Sequence, residues 1–324
     1  MKRFDISVLG ELNCDLILYG LPPVLEPERE HLANDFAMTL GSSSAIFAHN
    51  ISLLGSRVGF TSCIGGDPLG KFCVERLLES GVDVSGVKCL PGKNTGVTVI
   101  LPLAEKRQIL TYPGTTFDLQ NAHLDLDYLR SAAHFHLSSF FLLRALRPAL
   151  PELFFQMKQA GLSTSLDTND DPENLWANDV KTVLESVDVF LPNEQEACKL
   201  AGTGDLDSAL DALSRLVPVV VIKCGAQGAL AKRGKDRFHA ASLSVQPVDT
   251  VGAGDSFNAG FLHKFIRGAG LQDCLEYGNV SAALSTTRAG GTEAFRDRQH
   301  RETFLQRLGK RSDVSTPQIS TGPQ

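Results

Sequence analysis

The sequence has no pair of cysteines spaced for a zinc ribbon or a redox-active disulfide. Its seven cysteines are scattered and odd in number, and none forms a Cys-x-x-Cys motif. This usage is typical of reduced packing residues in a cytosolic protein. We therefore expect no zinc or redox site, and we expect the cytoplasm as the location.

Basic runs and long apolar runs are also missing. The 31 lysines and arginines are outnumbered by 37 aspartates and glutamates, which gives a net charge of −6, and the basic residues form no block. No apolar stretch reaches the length of a membrane span, and the start Met1-Lys2-Arg3-Phe4-Asp5 does not lead into a secretory signal. The expected partners therefore include neither nucleic acid nor a membrane.

Enough apolar sequence is present for a substantial core. Hydrophobic residues make up 43% of the 324 positions and charged residues 21%, as in globular domains. This length is compatible with two average domains or with one large α/β domain.

Apolar strands alternate with helices along much of the chain. Such strands are typical of a parallel sheet covered on both faces, which binds ligands at the carboxyl ends of its strands. The pattern predicts strands at 4–9, 58–63, 134–137, 163–167, 187–191 and 217–223, a short strand end at 245–248, and helices at 42–54, 70–80, 149–160, 180–185, 194–201 and 256–266.

Two other segments, at about 16–40 and 95–112, have a different character. The first is rich in proline, and in the second apolar residues alternate with polar ones. Together they predict a small β-sheet that projects from the main one as a lid. Ordinary surface hairpins are the alternative.

The most informative stretch runs from Asp249 to Phe257 and has the sequence DTVGAGDSF. Unpaired N–H groups at the start of a helix carry about half a positive charge and favour an anion. Asp255 follows in the first turn, where it could accept a proton from a hydroxyl. The stretch predicts phosphoryl transfer, with Gly252, Ala253 and Gly254 as an anion hole and Asp255 as the base. An ordinary glycine-rich turn into a helix is the alternative.

This stretch resembles the C-terminal signature of the PfkB family of carbohydrate kinases, Asp-Thr-x-Gly-Ala-Gly-Asp-x-Phe, and every fixed position is filled. The resemblance extends from Ile6 to about Phe295. It implies a ribokinase-like α/β fold, doubly wound, with a mostly parallel central sheet, helices on both faces and a small β-sheet lid. It also implies ATP and Mg²⁺ as cofactors. We expect one domain over residues 1–308 and a disordered polar tail over 309–324.

The resemblance also implies which residues bind the sugar. Asn13 and Asp15 resemble the Asn-x-Asp motif that holds sugar hydroxyls, although Asn-Cys-Asp alone is usually a turn. Gly41 and Ser42 resemble a Gly-Gly signature in which Ser42 replaces the second glycine. The implied sugar contacts are Asn13, Asp15, Gly41, Ser42, Ser43, Ser138 and Asn169.

Three departures from the best-known family members concern the substrate. Ile46 stands where ribokinases place an asparagine, and Ser138 lies at a strand end where they carry a glutamate. Asp171 stands where ketodeoxygluconate kinases usually have an arginine. A carboxylated or phosphorylated sugar is therefore disfavoured unless Arg107 or Arg144 replaces that arginine, and we expect a neutral sugar.

A second group of residues is implied at the nucleotide. Asn193 and Glu196 lie three residues apart and so share a helix face, from which Glu196 would hold Mg²⁺ through water. A helix cap is the alternative for this pair, and close helix packing alone would also select small residues such as Ala282. The implied nucleotide contacts are Asn193, Lys223, Gly225, Gly228, Asn279 and Ala282.

The ribokinase branch also implies a monovalent cation site, for which K⁺ is the candidate. Carboxylate and carbonyl oxygens suit such an ion, although Asp249 could instead be a turn or cap residue. The corresponding positions are Asp249, Val251, Ser285, Arg288 and Gly290.

Other functions stay open at this point. A nucleoside kinase and a sugar-acid kinase share the signature, and a non-catalytic nucleotide or sugar sensor could share the fold. A dehydrogenase is not expected, because Gly10-Glu11-Leu12-Asn13 after the first strand is not a dinucleotide-binding turn. We expect a homodimer formed through the lid strands.

Overall fold

Two separate β-sheets organise the part of the chain that the computed structural model describes, residues 2–103, 106–176 and 179–312. The strands in chain order are β1 Phe4–Leu9, β2 Asn13–Tyr19, β3 Asp35–Leu40, β4 Val58–Gly65, β5 Asp83–Leu90, β6 Gly96–Leu103, β7 Lys106–Tyr112, β8 Ala132–Ser138, β9 Ser163–Asp167, β10 Val189–Phe190, β11 Val219–Lys223, β12 Ala229–Arg233 and β13 Asp236–Ala240.

The large sheet has the order β13-β12-β11-β10-β9-β8-β1-β4-β5. The strands from β11 to β5 are parallel, whereas β12 and β13 form an antiparallel hairpin at one edge. The predicted mostly parallel sheet is thus confirmed. The sequence did not indicate β5, β12 or β13, because charged residues in these strands interrupt the apolar pattern.

Helices pack on both faces of this sheet, as predicted. In β11, Val220 and Ile222 face one core while Val219 and Val221 face the other, because successive side chains of a strand point to opposite faces. The helices are α1 Ser43–Leu53, α2 Pro68–Glu79, α3 Leu126–Arg130, α4 Leu150–Gln159, α5 Asp179–Leu184, α6 Glu194–Ala201, α7 Leu206–Leu213, α8 Ala253–Phe265, α9 Leu271–Ser285, α10 Glu293–Arg296 and α11 Arg298–Ser312.

The small sheet has the order β3-β2-β6-β7 and is formed by the two segments that the sequence set apart. Leu16 of β2 lies opposite Met38 of β3 and Val99 of β6, and Val99 lies opposite Leu110 of β7. These four side chains therefore share one face of the sheet. Asp15 directly precedes Leu16 in β2, so its side chain belongs to the opposite face of the sheet.

Several predicted boundaries differ from the structure, and three of them concern the segment before α8, the start of α8 and the end of the domain. Residues 245–248 are not a strand, because Pro247 removes a ladder donor and Val248 instead donates its N–H to the Thr286 carbonyl at 2.7 Å. Helix α8 begins at Ala253, inside the glycine-rich turn. Helix α11 extends to Ser312, four residues past the predicted domain end at 308. Residues 313–324 of the predicted tail lie outside the described residues.

Helix α8 is anchored by a row of aromatic rings. Phe257, Phe261 and Phe265 are four residues apart, and their ring centroids stack at 6.2 and 5.9 Å. Residues at this spacing lie above one another on a helix. The row binds α8 to the core of the large sheet and fixes the position of the helix start.

Over the described residues, none of the helices combines the length and apolar composition that a bilayer span requires.

The Phe261→Ala substitution should lower the free energy of unfolding by about 3–5 kcal/mol, because the ring is fully buried and its loss leaves a cavity. Phe155→Ala is the matched control, since the Phe155 side chain is half exposed on α4. Urea denaturation measures both variants. Similar losses in the two would contradict the anchoring role of Phe261.

Candidate active site

Gly252 allows the chain to turn sharply before α8. Its φ of 71° lies in the left-handed region, which glycine adopts without strain. A Cβ at this position would lie 2.7 Å from the Cα of Gly291 and 3.1 Å from a side-chain carbon of Ile46. Glycine is therefore required here both for conformation and for space.

The first backbone N–H groups of α8 point away from the helix. Ala253 N–H donates to the Thr250 carbonyl at 3.3 Å. For the N–H groups of Gly252, Gly254 and Asp255, no acceptor lies within hydrogen-bonding distance among the described residues. Unpaired N–H groups at a helix start attract an anion. The geometry suits a phosphoryl group.

Asp255 lies in the first turn of α8 and is almost completely buried. Burial, and then the charge of Asp167, raises the pKa of its carboxyl to about 7, although the Lys223 ammonium opposes this rise. A carboxyl that titrates near neutral pH can both take up and release a proton. Asp255 therefore has the chemistry of a general base.

A buried ion pair lies beside the start of α8. The Lys223 Nζ is 2.5 Å from the Asp167 Oδ2, and a Cβ on Gly254 would be 3.8 Å from the same Nζ. Burial opposes the lysine charge, but the carboxylates of Asp167 and Glu196 hold the pKa of Lys223 above its ordinary value. Lys223, predicted to contact the nucleotide, thus lies among the carboxylates of the site centre.

Asn258 was missed by the sequence analysis. Its Nδ2 donates to Asp167 at 2.5 Å, and its Oδ1 is buried with no partner among the described residues. The signal was available in the sequence, since Asn258 follows Asp255 by three residues and so lies on the same helix face. The unpaired oxygen can accept a hydrogen bond from a bound ligand or its water.

The predicted sugar residues after β1 meet the start of α1. Asp15 is buried, and burial followed by the charge of Asp255 raises its pKa to about 7. A Cβ on Gly41 would lie 2.0 Å from an Asp15 oxygen, so glycine is required there. Asn13 donates to the Thr98 hydroxyl at 3.1 Å and accepts from the Ser42 hydroxyl. Ser42 has a φ of 69°, which is unusual for serine.

Glu11 is a second residue that the sequence analysis missed. Its carboxylate accepts from the Ser43 N–H at 2.9 Å, from the Ser44 hydroxyl at 2.7 Å and from the Ser139 hydroxyl at 2.6 Å. It thereby joins the ends of β1 and β8 to the first turn of α1. Its position between Gly10 and Asn13, directly after a strand, was the available signal.

Asn169 joins this group, whereas Ser138 points elsewhere. The Asn169 Nδ2 donates to the Ser43 hydroxyl, and its Oδ1 accepts from the Ser139 N–H at 3.4 Å. The Ser138 hydroxyl is buried and hydrogen bonds to the His136 Nε2 at 2.9 Å. Ser138 thus lies below the group rather than within it.

Asn193 and Glu196 form the helix cap that was the alternative for this pair. The Glu196 backbone N–H donates to the Asn193 Oδ1 at 2.9 Å, and the Asn193 N–H donates to the Glu196 carboxylate at 2.8 Å. Burial, and then the charge of Asp167, raises the pKa of Glu196 to about 7. The cap holds this carboxylate close to Lys223 without excluding a further ligand.

Asp249 connects the segment before α8 to the turn after α9. Its two oxygens accept from the N–H groups of Val251 and Gly290, each at 2.9 Å. The Ser285 hydroxyl is buried without a partner among the described residues. The Arg288 side chain is exposed and pairs with Asp297 at 2.8 Å. The turn role considered for Asp249 is therefore present.

The other predicted nucleotide residues lie around the β12–β13 hairpin. Gly228 has a φ of 97°, and a Cβ there would lie 2.0 Å from the Ala240 carbonyl. Gly225, at the other end of the same turn, is exposed and has open space around it. Asn279 of α9 donates to the Ala240 carbonyl at 2.9 Å, and Ala282 lies one turn further along that helix, partly exposed.

Asp171 has a structural explanation. It is buried and accepts from three backbone N–H groups, those of Glu173, Leu175 and Trp176, at 3.0, 2.8 and 2.7 Å. The Arg144 side chain pairs with Glu173. Asp171 therefore shapes the loop after β9, which is a reason for an aspartate here besides substrate selection.

Comparison with known proteins places the chain in a family. Residues 3–298 match the pfkB family of carbohydrate kinases. The chain is 28% identical over 315 residues to a ribokinase of Haemophilus influenzae, covering 94% of this chain and 99% of the relative. It is 29% identical over 292 residues to a 2-dehydro-3-deoxygluconokinase of Bacillus subtilis, covering 85% and 89%.

A solved structure from E. coli has the same fold. This protein, provisionally assigned as a ribokinase II and solved in complex with ATP and Mg²⁺, is 26% identical to the chain, with a TM-score of 0.83 over 94% of this chain and 99% of the other. The fold is therefore that of the ribokinase-like α/β enzymes, as expected. The chain belongs to the pfkB family of carbohydrate kinases.

Ionisation of Asp255 should make the fold less stable as pH rises. Its folded pKa of about 7 is above that of an unfolded aspartate, so its stabilising effect is complete at low pH and is lost as pH rises through 7. Asp255→Asn cannot ionise. It should exceed the wild type in stability at pH 8 by on the order of 1 kcal/mol or more, and the gain should shrink toward pH 5.

Denaturant titrations at both pH values measure this difference. Asp236→Asn is the control, because Asp236 is exposed at the start of β13 and forms no ion pair among the described residues. A gain for Asp255→Asn that is the same at pH 5 and pH 8 would contradict the buried ionisation.

Proposed function

We propose that the protein phosphorylates a hydroxyl of a small neutral sugar with the γ-phosphoryl group of ATP. The observation that carries this proposal is the start of α8, where a buried carboxyl with a pKa of about 7 follows three backbone N–H groups without acceptors among the described residues. Family membership supports a carbohydrate as the acceptor. The same few residues could hold the transferred group and receive the proton.

The chain's residues have separate roles in this proposal. The N–H groups of Gly252, Gly254 and Asp255 hold the phosphoryl oxygens, whereas that of Ala253 donates to Thr250. These groups are already oriented, so little reorganisation is needed as charge develops. Asp255 accepts the proton of the attacking sugar hydroxyl. Lys223 lies beside this turn and adds a positive charge.

The residues present fit MgATP. Bound ATP would supply the phosphoryl group, and its Mg²⁺ would offset the negative charge of the phosphates. Glu196, held by its cap and close to Lys223, would hold Mg²⁺ through water, as would the unpaired Asn258 Oδ1. Asn193, Gly225, Gly228, Asn279 and Ala282 border the hairpin and helix where the nucleotide would lie.

The acceptor end favours a neutral polyol. Asp15 and Asn13 supply acceptors and a donor for adjacent hydroxyls, together with Gly41, Ser42, Ser43 and Asn169. Asp15 lies near the charges of Asp255 and Glu11. This negative charge would repel a carboxylated or phosphorylated sugar. The small sheet would close over the acceptor and exclude water.

A monovalent cation fits the neighbouring turn. Asp249, the buried Ser285 hydroxyl and backbone oxygens at Val251, Arg288 and Gly290 supply hard oxygen ligands. Among the described residues no cluster of three or more histidines, cysteines or acidic residues could hold a metal ion. Hydroxyl and carbonyl oxygens beside one carboxylate suit a monovalent ion such as K⁺.

A substrate panel tests the function directly. Coupled ADP detection with neutral sugars, sugar acids, sugar phosphates and nucleosides, each with K⁺ or with an organic cation, should give the highest kcat/KM for a neutral sugar. Preference for a sugar acid or a nucleoside would replace this substrate class with another of the same family. Absence of ADP formation with every compound would favour a non-catalytic sensor.

Asp255→Ala should abolish most of kcat while the KM for ATP changes little, because the base is lost and the N–H groups stay in place. We expect a fall in kcat of about 10²-fold or more, as for removal of a general base. Asp236→Ala is the surface control. Turnover within about tenfold of the wild type, less than 1.4 kcal/mol, would exclude Asp255 as the base.

We also propose a homodimer formed through the small sheet. The face that bears Leu16, Met38, Val99 and Leu110 crosses all four strands, and Met38 and Leu110 are 42% and 57% exposed. The opposite face bears Asp15 and borders the acceptor site. A second copy of the same apolar stripe is a self-complementary partner, as a twofold interface requires.

Sedimentation at micromolar concentration should show a dimer, and Leu110→Glu should convert it to a monomer. Ile109→Glu is the matched control, because Ile109 is similarly exposed but lies on the opposite face of β7. A wild-type monomer, or equal effects of both substitutions, would contradict this interface.

A further inference from the structure

Two glycine turns pack against each other at the start of α8, and both contact helix α1. Gly252 forms the turn before α8, and Gly291 belongs to the turn after α9. A Cβ on Gly252 would lie 2.7 Å from the Gly291 Cα, and a Cβ on Gly291 would lie 2.6 Å from the Ile46 Cδ1. Ile46, in the first turn of α1, is almost completely buried. Its side chain therefore fills the space beside both glycines.

Asn50 lies one turn further along α1, and its side-chain amide joins the same two turns. The Asn50 Nδ2 donates to the Gly291 carbonyl and to the Ser256 hydroxyl, each at 2.9 Å. The Ser256 hydroxyl donates in turn to the Gly252 carbonyl at 2.8 Å. Because residues four apart share a helix face, Ile46 packs on the two turns and Asn50 ties them together from one side of α1.

The hydrogens of this link have a single arrangement. The Gly291 carbonyl can only accept, so the Asn50 atom that faces it is Nδ2, and the second Nδ2 hydrogen goes to Ser256. The Asn50 Oδ1 faces the His49 Nδ1 at 2.7 Å, where the histidine must donate. Asn50 and Ser256 have no exposed surface. Solvent therefore does not compete for these bonds, and the amide holds one fixed orientation.

We propose that Asn50 is a positioning residue for phosphoryl transfer, which holds the unpaired N–H groups at the start of α8 in the orientation that the transferred group requires. The inference rests on the proposed function, because these N–H groups act there on a phosphoryl group. Asn50 is fully buried and acts only through Ser256 and the Gly291 turn.

The Gly252 carbonyl connects this link to the reaction. It accepts from the Ser256 N–H at 2.9 Å and from the Ser256 hydroxyl at 2.8 Å, and it lies between the N–H groups of Gly252 and Gly254 along the chain. Without the Asn50 amide, the buried Gly291 carbonyl loses this donor, which is unfavourable unless the turns move. A displacement of about 1 Å can slow a reaction about 100-fold. The loss should fall on kcat, because these N–H groups act on the phosphoryl group as it is transferred.

Steady-state kinetics test this role. With the neutral sugar that has the highest kcat/KM in the panel, Asn50→Ala should lower kcat about 10- to 100-fold, and the KM values for ATP and sugar should stay within about twofold. Ser256→Ala is the milder variant, because it breaks only the link to Gly252, and it should lower kcat about 2- to 10-fold. Unchanged kcat in either folded variant, or a loss confined to KM, would overturn the proposal.

The double variant separates one shared link from two independent effects. Asn50→Ala already removes the donor to Ser256, so Asn50→Ala with Ser256→Ala should have a kcat within about twofold of Asn50→Ala alone. Fold-losses that multiply in the double variant would show that the two side chains act separately, and would overturn the link.

Thr164→Ala is the matched control for the loss of a buried hydrogen-bonded group. The Thr164 hydroxyl is buried, donates to the Ser186 carbonyl at 2.7 Å and accepts from the Asp188 N–H at 3.1 Å. It lies at the amino end of β9, whereas the site lies at the carboxyl end. Thr164→Ala should lower stability and leave kcat unchanged. A fall in kcat equal to that of Asn50→Ala would overturn the specific role of Asn50.

Hydrogen exchange of the ligand-free protein, measured by mass spectrometry, tests the link without a substrate. Asn50→Ala should accelerate exchange in peptides that span 249–257 and 288–293, because both turns lose the same partner, and Thr164→Ala should not. If no compound in the panel is turned over, the proposed function fails, and the exchange result alone decides whether the link exists. Unchanged exchange in either segment of Asn50→Ala would overturn the proposal.

Discussion

The candidate site depends on one buried lysine that balances several carboxylates. Lys223 pairs with Asp167 at 2.5 Å and interacts with Glu196 and Asp255, and it ends β11, the third strand from one edge of the large sheet. A buried charge without a partner is strongly unfavourable, so each member of this group keeps the others in place. Burial, and then the charge of Asp167, raises the pKa of both Asp255 and Glu196 to about 7, although Lys223 opposes the rise. The group is thus left ready to accept further positive charge.

Much of the fold could be predicted because its central strands are continuously apolar. Strand β9 and helix α6 were found to the residue, and the two segments of the small sheet were recognised by their different composition. The edge hairpin β12–β13 was not found, because Lys232 and Arg237 alternate with its apolar residues and are stabilised by acidic partners on α7 that a local pattern does not show. Helix α8 was predicted to start three residues late, since glycine is a poor helix former in isolation.

The site was predictable where a motif specified it and not where tertiary contacts did. Asp255 and its glycines belong to a contiguous signature. Glu11 and Asn258 have no such signature, and their importance appears only when Ser139 and Asp167 are brought to them from more than ninety residues away. The buried hydrogen bonds of His134 and His136 in β8 with Ser165 in β9 were also not predicted. Polar residues at alternate positions of two strands resemble a solvent-facing pattern. Here that face is covered by α1 and α8.

The small sheet has a consequence for how this chain can vary. Along β2, Asp15 and Leu16 are adjacent but face opposite sides, and the same alternation separates Thr98 from Val99 in β6. An insertion or deletion of a single residue within either strand would move every side chain beyond it to the other face. Such a change would place carboxylates on the apolar side and apolar residues against the acceptor. Length variation should therefore be confined to the connection between Tyr19 and Asp35, where the sheet imposes no register.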